Sequence, residues 1–177
     1  QDEYEAGLWV DILRSRVEAI STVRSITRED EKEKVLQAHL FKNLWLLDAA
    51  WERAAVGGRM EENLRHIEPG LFARNPDGDE ISGRIDIRYA TASGRHVIVE
   101  LKRYSVNPTI SELQEQGTKY YNALDSVLEQ QQRQDRDIEV VFVLGSLPRT
   151  PLRGKKSPDD HIDDMLAGIN GRYVLYD

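Results

Sequence analysis

A chain of 177 residues, 40% hydrophobic and 31% charged, has the size and make-up of one globular domain. Its 24 basic residues against 31 acidic ones leave a net charge of −7, which excludes nucleic-acid binding through a broad basic surface and confines any such contact to a local patch, a bridging metal or further domains. No apolar run approaches 18 residues, so no transmembrane helix and no membrane partner are expected, and the lack of cysteine excludes a disulfide framework or a thiolate zinc site and fits the cytoplasm.

The chain begins at Gln1 rather than Met, which is expected of a piece of a larger protein with further domains. Residues 3–26 read as a helix, because Leu8, Ile12, Leu13, Val17, Ile20 and Val23 recur near the 3.6-residue period, with Trp9 beside them. Residues 1–27 are therefore expected to be a helical extension, a linker or an oligomerisation element that gives a homo-oligomer, ahead of a domain over 28–177. Thr27-Arg28-Glu29-Asp30 resembles a capping box, which predicts a second helix from Thr27 to about Trp45 with Leu36, Leu40, Leu44 and Leu47 on one face. Glu33 shares that face. An acid there sits at the partly solvated edge of the stripe or faces a charged site.

Residues 53–65 read as a polar connection, with Gly57-Gly58 a flexible point. A first strand is expected over 66–74 and a turn over 75–79. Two further short strands follow, with small residues ending in Gly94 between them. In the first of the pair Ile85, Ile87 and Tyr89 alternate with Arg84, Asp86 and Arg88. In the second Val97, Val99 and Leu101 alternate with His96, Ile98, Glu100 and Lys102. One face of this hairpin thus carries an aspartate, a glutamate and a lysine, a set that holds a hard divalent cation beside a point positive charge. The plainer reading of the same residues is a solvated hairpin with a cross-strand ion pair.

After Lys102, Asn107-Pro108 breaks the strand and Thr109-Ile110-Ser111-Glu112 is a full capping box. The helix it opens has Ile110, Leu113, Tyr120, Tyr121, Leu124 and Val127 on its inner face. Gln116 lies in line with Leu113 and Tyr120, a buried polar group that needs partners. Gly117 costs about 1 kcal/mol against Ala in a helix interior, which predicts a close approach by another backbone. Residues 138–144 are one apolar run, a strand buried on both faces, and the helix before it completes a βαβ crossover. The loop over 145–157 carries Arg149, Arg153, Lys155 and Lys156 with no acid, either a solvated connection or a phosphate-contacting loop. Ser157-Pro158-Asp159-Asp160 starts a last helix. Helix-start chemistry and solvation account for its acids better than a metal does. A final strand is expected near Arg172 to Tyr176.

Taken together, Asp86, thirteen intervening residues and Glu100-Leu101-Lys102 resemble the core motif of the PD-(D/E)xK nuclease superfamily, with Ile85 in place of the proline. Glu33-Lys34-Val35-Leu36-Gln37, running on to Asn43-Leu44-Trp45-Leu46-Leu47, resembles the helix that precedes the nuclease core in branches that include the Shedu anti-phage proteins, with Asn43-Leu44 for the usual Asn-Pro. Gln116 to Tyr120 matches the Q-x-x-x-Y helix motif of the RecB-like branch. The resemblance covers about residues 31–144. It implies an α/β restriction-endonuclease-like core, a mixed sheet flanked by helices, and a Mg²⁺-dependent (or Mn²⁺-dependent) deoxyribonuclease with a part in anti-phage defence or restriction. It also implies Asp86, Glu100, the Leu101 carbonyl and Glu33 as metal ligands, and Asp86, Glu100, Lys102, Gln116 and Tyr120 as catalytic residues. The DNA contacts would fall to Arg149, Arg153, Lys155 and Lys156. The alternative is a catalytically inactive nuclease-fold module that binds nucleic acid or protein.

Overall fold

The structure is a computed structural model and describes residues 2–48, 59–63, 84–91, 93–134, 136–150 and 158–176. Strand β1 is Arg59–Asn63, β2 Arg84–Ala90, β3 His96–Leu101, β4 Ile138–Leu144 and β5 Gly171–Leu175. Helix α1 is Asp2–Arg28, α2 Glu33–Lys42, α3 Ile110–Gln130 and α4 Pro158–Ala167, with a 3₁₀ turn at Leu44–Leu46. The sheet has the order β1-β2-β3-β4-β5. The first three strands pair antiparallel and the last three parallel, so the sheet is mixed. Helices cover both of its faces.

The apolar runs decide the middle of the sheet. Every residue of β3 and of β4 is buried, as expected of strands packed between two helical layers. On one face Ile98, Val140, Phe142 and Leu144 pack against α3 and α4 through Leu113, Tyr120, Leu124, Ile162 and Leu166. On the other Ile87, Val97, Val99, Val141 and Val143 meet Leu36, Leu40, Leu44, Leu47 and Ile26 of the N-terminal helices. Helix α3 makes the crossover from β3 to the parallel β4, and its capping box is formed: Thr109 Oγ1 accepts from the Glu112 N–H at 3.2 Å while Glu112 Oε2 accepts from the Thr109 N–H at 2.7 Å.

Four expectations need correction. Thr27 is not an N-cap. It lies inside α1, and its hydroxyl donates back to the Val23 and Arg24 carbonyls at 3.0 and 3.1 Å, satisfying itself within the helix. The chain turns at Asp30, in the left-handed region at φ 46°, and α2 begins at Glu33 with no side-chain cap. That helix also ends early, at Lys42, because Asn43 leaves helical geometry and its amide donates to the His39 carbonyl instead. Strand β1 falls at Arg59–Asn63, inside the stretch expected to be a polar connection. Finally, Gly117 is approached by side chains: a Cβ there would collide with Ile169 and come within 2.9 Å of Phe142. The close backbone approach is at Gly145 instead, where a Cβ would run into the Tyr104 carbonyl. The expected strand over 66–74, the turn over 75–79 and the Ser157 cap lie outside the described residues.

Candidate active site

The β2–β3 ladder stops at the Ile87–Val99 pair. Beyond it β2 runs on against β1, with Ile85 opposite Glu62 and Arg84 opposite Asn63. Strand β3 runs on against β4, with Glu100 opposite Phe142 and Leu101 opposite Val143. The two central strands fork, and Asp86 and Glu100 are the residues at the fork. A hydrogen bond spans it: Asp86 Oδ2 accepts from the Leu101 N–H at 2.8 Å. From α2, the Gln37 amide donates to the Asp86 carbonyl and fixes the backbone there.

Side-chain alternation sends Glu100 to the same face as Ile98, toward α3. Only 4% of it is exposed. Glu100 Oε1 accepts from Lys102 Nζ at 2.9 Å and from the Gln116 amide nitrogen. Gln116 Oε1 in turn accepts from Lys102 Nζ at 2.9 Å, and its nitrogen also donates to the Tyr120 hydroxyl at 2.8 Å. One amide therefore ties together an acid, an amine and a phenol, and the spacing of three and four residues on α3 is what brings Leu113, Gln116 and Tyr120 to one side. Glu100 Oε2 is different. It is buried and has no hydrogen-bond partner among the described residues.

Burial, and then charge, set the acidity of these groups. Burial pushes the Glu100 carboxyl up to about 8, the Asp86 carboxylate adds to the rise, and Lys102 works against it. Glu33 adds to the rise as well, so the first residue of α2, half-buried, is felt at the fork. Burial, and next the charge of Glu100, raises the Tyr120 hydroxyl above its ordinary value. Among the described residues no group of three or more His, Asp or Glu side chains is placed to hold one metal ion. The carboxylates at the fork are thus a pair, with Glu33 at the rim.

Three residues that sequence reasoning did not connect with this site support it. The Tyr176 hydroxyl, just after β5, donates to the Lys102 carbonyl at 2.8 Å. Its own acidity is suppressed by burial and then by Glu33 and Asp86, so it shares their surroundings. Asp30 holds the chain beyond Lys102: its carboxylate accepts from Arg103 at 2.7 Å and from the Ser105 hydroxyl at 2.9 Å. Gln37, the third, showed only as the last residue of the Glu33–Gln37 stretch that carries the resemblance, with no contact assigned to it. Asp30 showed only as the acid of the expected Thr27 capping box and Tyr176 only as the end of the expected last strand, since each acts on a segment more than 70 residues away.

Of the basic loop, Arg149 is described. Its backbone pairs with Pro108 and Ile110, its side chain donates to the Asn107 carbonyl at 3.1 Å, and it is exposed beside the start of α3. It and Lys102 both help to lower the Glu112 carboxyl, behind the hydrogen bonds from Thr109, so the two cations lie at the same end of the sheet. Arg153, Lys155 and Lys156 lie outside the described residues. Set beside known proteins, the chain matches no family model, no curated protein and no solved structure.

Proposed function

We propose that the chain is a metal-dependent deoxyribonuclease with a restriction-endonuclease-like core, hydrolysing DNA phosphodiester bonds. The observation that carries this reading is the fork. Two carboxylates from adjacent strands meet a lysine and a glutamine there, and one carboxylate oxygen is buried without a hydrogen-bond partner among the described residues. The element order, with the acids on the second and third strands of an antiparallel set and a helical crossover to a parallel strand, supports the same reading. The part in anti-phage defence or restriction rests on the sequence resemblance.

The donor set suits Mg²⁺ or Mn²⁺. Both ions take oxygen ligands, and Glu100 Oε2 is a buried oxygen with no hydrogen-bond partner among the described residues. Burial first, and then the neighbouring Asp86 charge, disfavour the ionised form of Glu100, which Asp86 would repel. A dication relieves that repulsion. Asp86 and Glu100 would hold it, with the Leu101 carbonyl as a further oxygen donor, and Glu33, at the rim, would reach it only through water. Bound there, the ion would polarise the scissile phosphate and acidify a water. Lys102 supplies a fixed positive charge beside the reacting phosphate, where it offsets developing negative charge. Gln116 holds the Lys102 amine and the Glu100 carboxylate in register, and Tyr120 buttresses Gln116. Arg149, at the same end of the sheet, would meet the flanking phosphate backbone.

A second reading has an observation in its favour. The net charge is −7, and Lys102 already has Glu100 and Gln116 as partners, which suits a nuclease-fold module that binds without cutting. The test is incubation with plasmid, linear and single-stranded DNA in Mg²⁺, Mn²⁺ or EDTA. Cleavage that needs metal and disappears in Asp86→Ala supports the enzyme. Binding without cleavage in either metal supports the module. Undiminished cleavage by a folded Asp86→Ala protein removes the site as assigned.

A further inference from the structure

Helix α1 has 27 residues, about 40 Å at 1.5 Å per residue. Among its described side chains the buried ones are Ala19, Ile26 and Thr27, all in its second half, and the Arg16 guanidinium lies 5.1 Å from the centre of the Trp45 ring. Every described side chain from Trp9 to Glu18 is exposed. One face of that exposed part is nonetheless apolar: Trp9 is 64% exposed, Leu13 60% and Val17 63%, with Val10, Ile12 and Ile20 also open. Large apolar side chains grouped this way on a protein surface mark a site of association. At the base of the stripe, where α1 meets the domain, lies a pocket of about 200 Å³ lined by Ile20, Val23, Leu40, Leu46, Val174 and Tyr176. A cavity of about 150 Å³ already accepts a benzene ring.

We infer that a second copy of this chain covers the stripe, its α1 antiparallel to the first, with Trp9 of each copy seated in the pocket of the other. Helical geometry allows this and forbids the intramolecular version. Trp9 and Ile20 are eleven residues apart, about three turns, so they share one face but sit about 16 Å from each other. Trp9 cannot reach its own pocket. In an antiparallel pair centred between Arg14 and Ser15, Trp9 lies beside the partner's Ile20, and Ile12 beside the partner's Val17. Charge selects the direction. The first turns of α1 carry Asp2, Glu3 and Glu5, and the last turns carry Arg24 and Arg28. An antiparallel pair sets Glu5 beside the partner's Arg24, which lines the pocket. A parallel pair sets acids against acids, which repel. The interface is isologous, so it closes as a dimer.

The test is solution mass by sedimentation across a dilution series, roughly 1 to 100 µM, a range that brackets micromolar dissociation constants. The mass is expected to approach twice the 20.3 kDa of the chain and to fall toward one copy on dilution. Trp9→Ala and Val17→Glu alter exposed side chains, so melting of the domain should stay put while the dimer dissociation constant rises about tenfold or more. The chain has no cysteine, so direction is read by disulfide cross-linking: Glu5→Cys mixed with Arg24→Cys should link, and Glu5→Cys alone should not. A mass of one copy at every concentration overturns the inference. A dimer indifferent to both α1 variants, or Glu5→Cys linking to itself, overturns it equally.

Discussion

Replacing Glu100 with glutamine should change how stability depends on pH in the absence of metal. The buried carboxyl keeps its proton in the folded protein up to about pH 8, against an ordinary 4.5. Between those values the folded state binds a proton that the unfolded chain has released. Stability from this group is therefore fully present below about pH 4.5 and is lost as pH rises toward 8, at about 1.4 kcal/mol per pH unit. From pH 5 to pH 7 the loss is about 3 kcal/mol. Glutamine keeps the shape and cannot ionise. It weakens the interaction with Lys102, a constant cost of roughly 1–2 kcal/mol. The two stability curves should cross: the variant weaker near pH 5, equal or stronger from pH 7 upward. Urea unfolding at pH 5, 6, 7 and 8 in EDTA measures this. Parallel curves, or a wild type whose stability difference from the variant is constant with pH, would refute the account of Glu100 as a buried, repelled acid. Added Mg²⁺ should raise the wild-type melting temperature at pH 7 and release protons, and do neither in Glu100→Gln.

The other site residues give separable outcomes. Asp86→Ala and Lys102→Ala should each abolish metal-dependent cleavage while the domain still melts cooperatively, checked by plasmid nicking beside circular dichroism. Near-wild-type cleavage by either would remove that residue from the chemistry. Gln116→Ala should lower the cleavage rate by more than its stability loss explains, because it aligns both Glu100 and Lys102. Tyr120→Phe should cost about 1 kcal/mol of stability by removing the hydrogen bond to Gln116. A Tyr120→Ala truncation should cost about 3–5 kcal/mol, since the ring sits in the core. Replacing Arg149, Arg153, Lys155 and Lys156 together with serine should weaken DNA binding evenly across sequences and flatten its salt dependence by roughly 0.9 for each phosphate no longer neutralised. An unchanged salt slope would make the loop a plain connection.

Periodicity made the sheet's centre legible. The apolar run over 138–144 and the alternation over 96–102 can be buried in only one way once a capped amphipathic helix lies between them. It also brought out the site residues, because Asp86 and Glu100 have a parity that puts them on the α3 face, and Gln116 and Tyr120 have a spacing that meets them. What periodicity could not give was the fork. Alternation treats a hairpin as a ladder closed along its length, and nothing in Asp86 or Glu100 says that pairing ends at Ile87 and Val99. Thr27 misled for a related reason. Its hydroxyl has two local uses, capping the next helix or bonding back within its own, and the choice is made by Asp30 turning the chain three residues later.

The fork also resolves why an acid stands where the strand pattern asks for an apolar residue. Glu100 follows Ile98 on a face that is otherwise Val140, Phe142 and Leu144. A leucine there would remove the desolvation cost and the repulsion from Asp86, and Lys102 and Gln116 would lose the carboxylate they share. The sequence keeps the acid and surrounds it with just enough compensation. Lys102 and Gln116 satisfy one oxygen, and Tyr176 and Asp30 hold the chain that carries Lys102. The second oxygen stays unsatisfied among the described residues. A network tuned for stability would not stop one bond short in a buried place. Local rules are broken in this way at functional sites, and on the reading proposed above, with two acids facing a single amine, the partner that Glu100 Oε2 lacks among the described residues would be a cation.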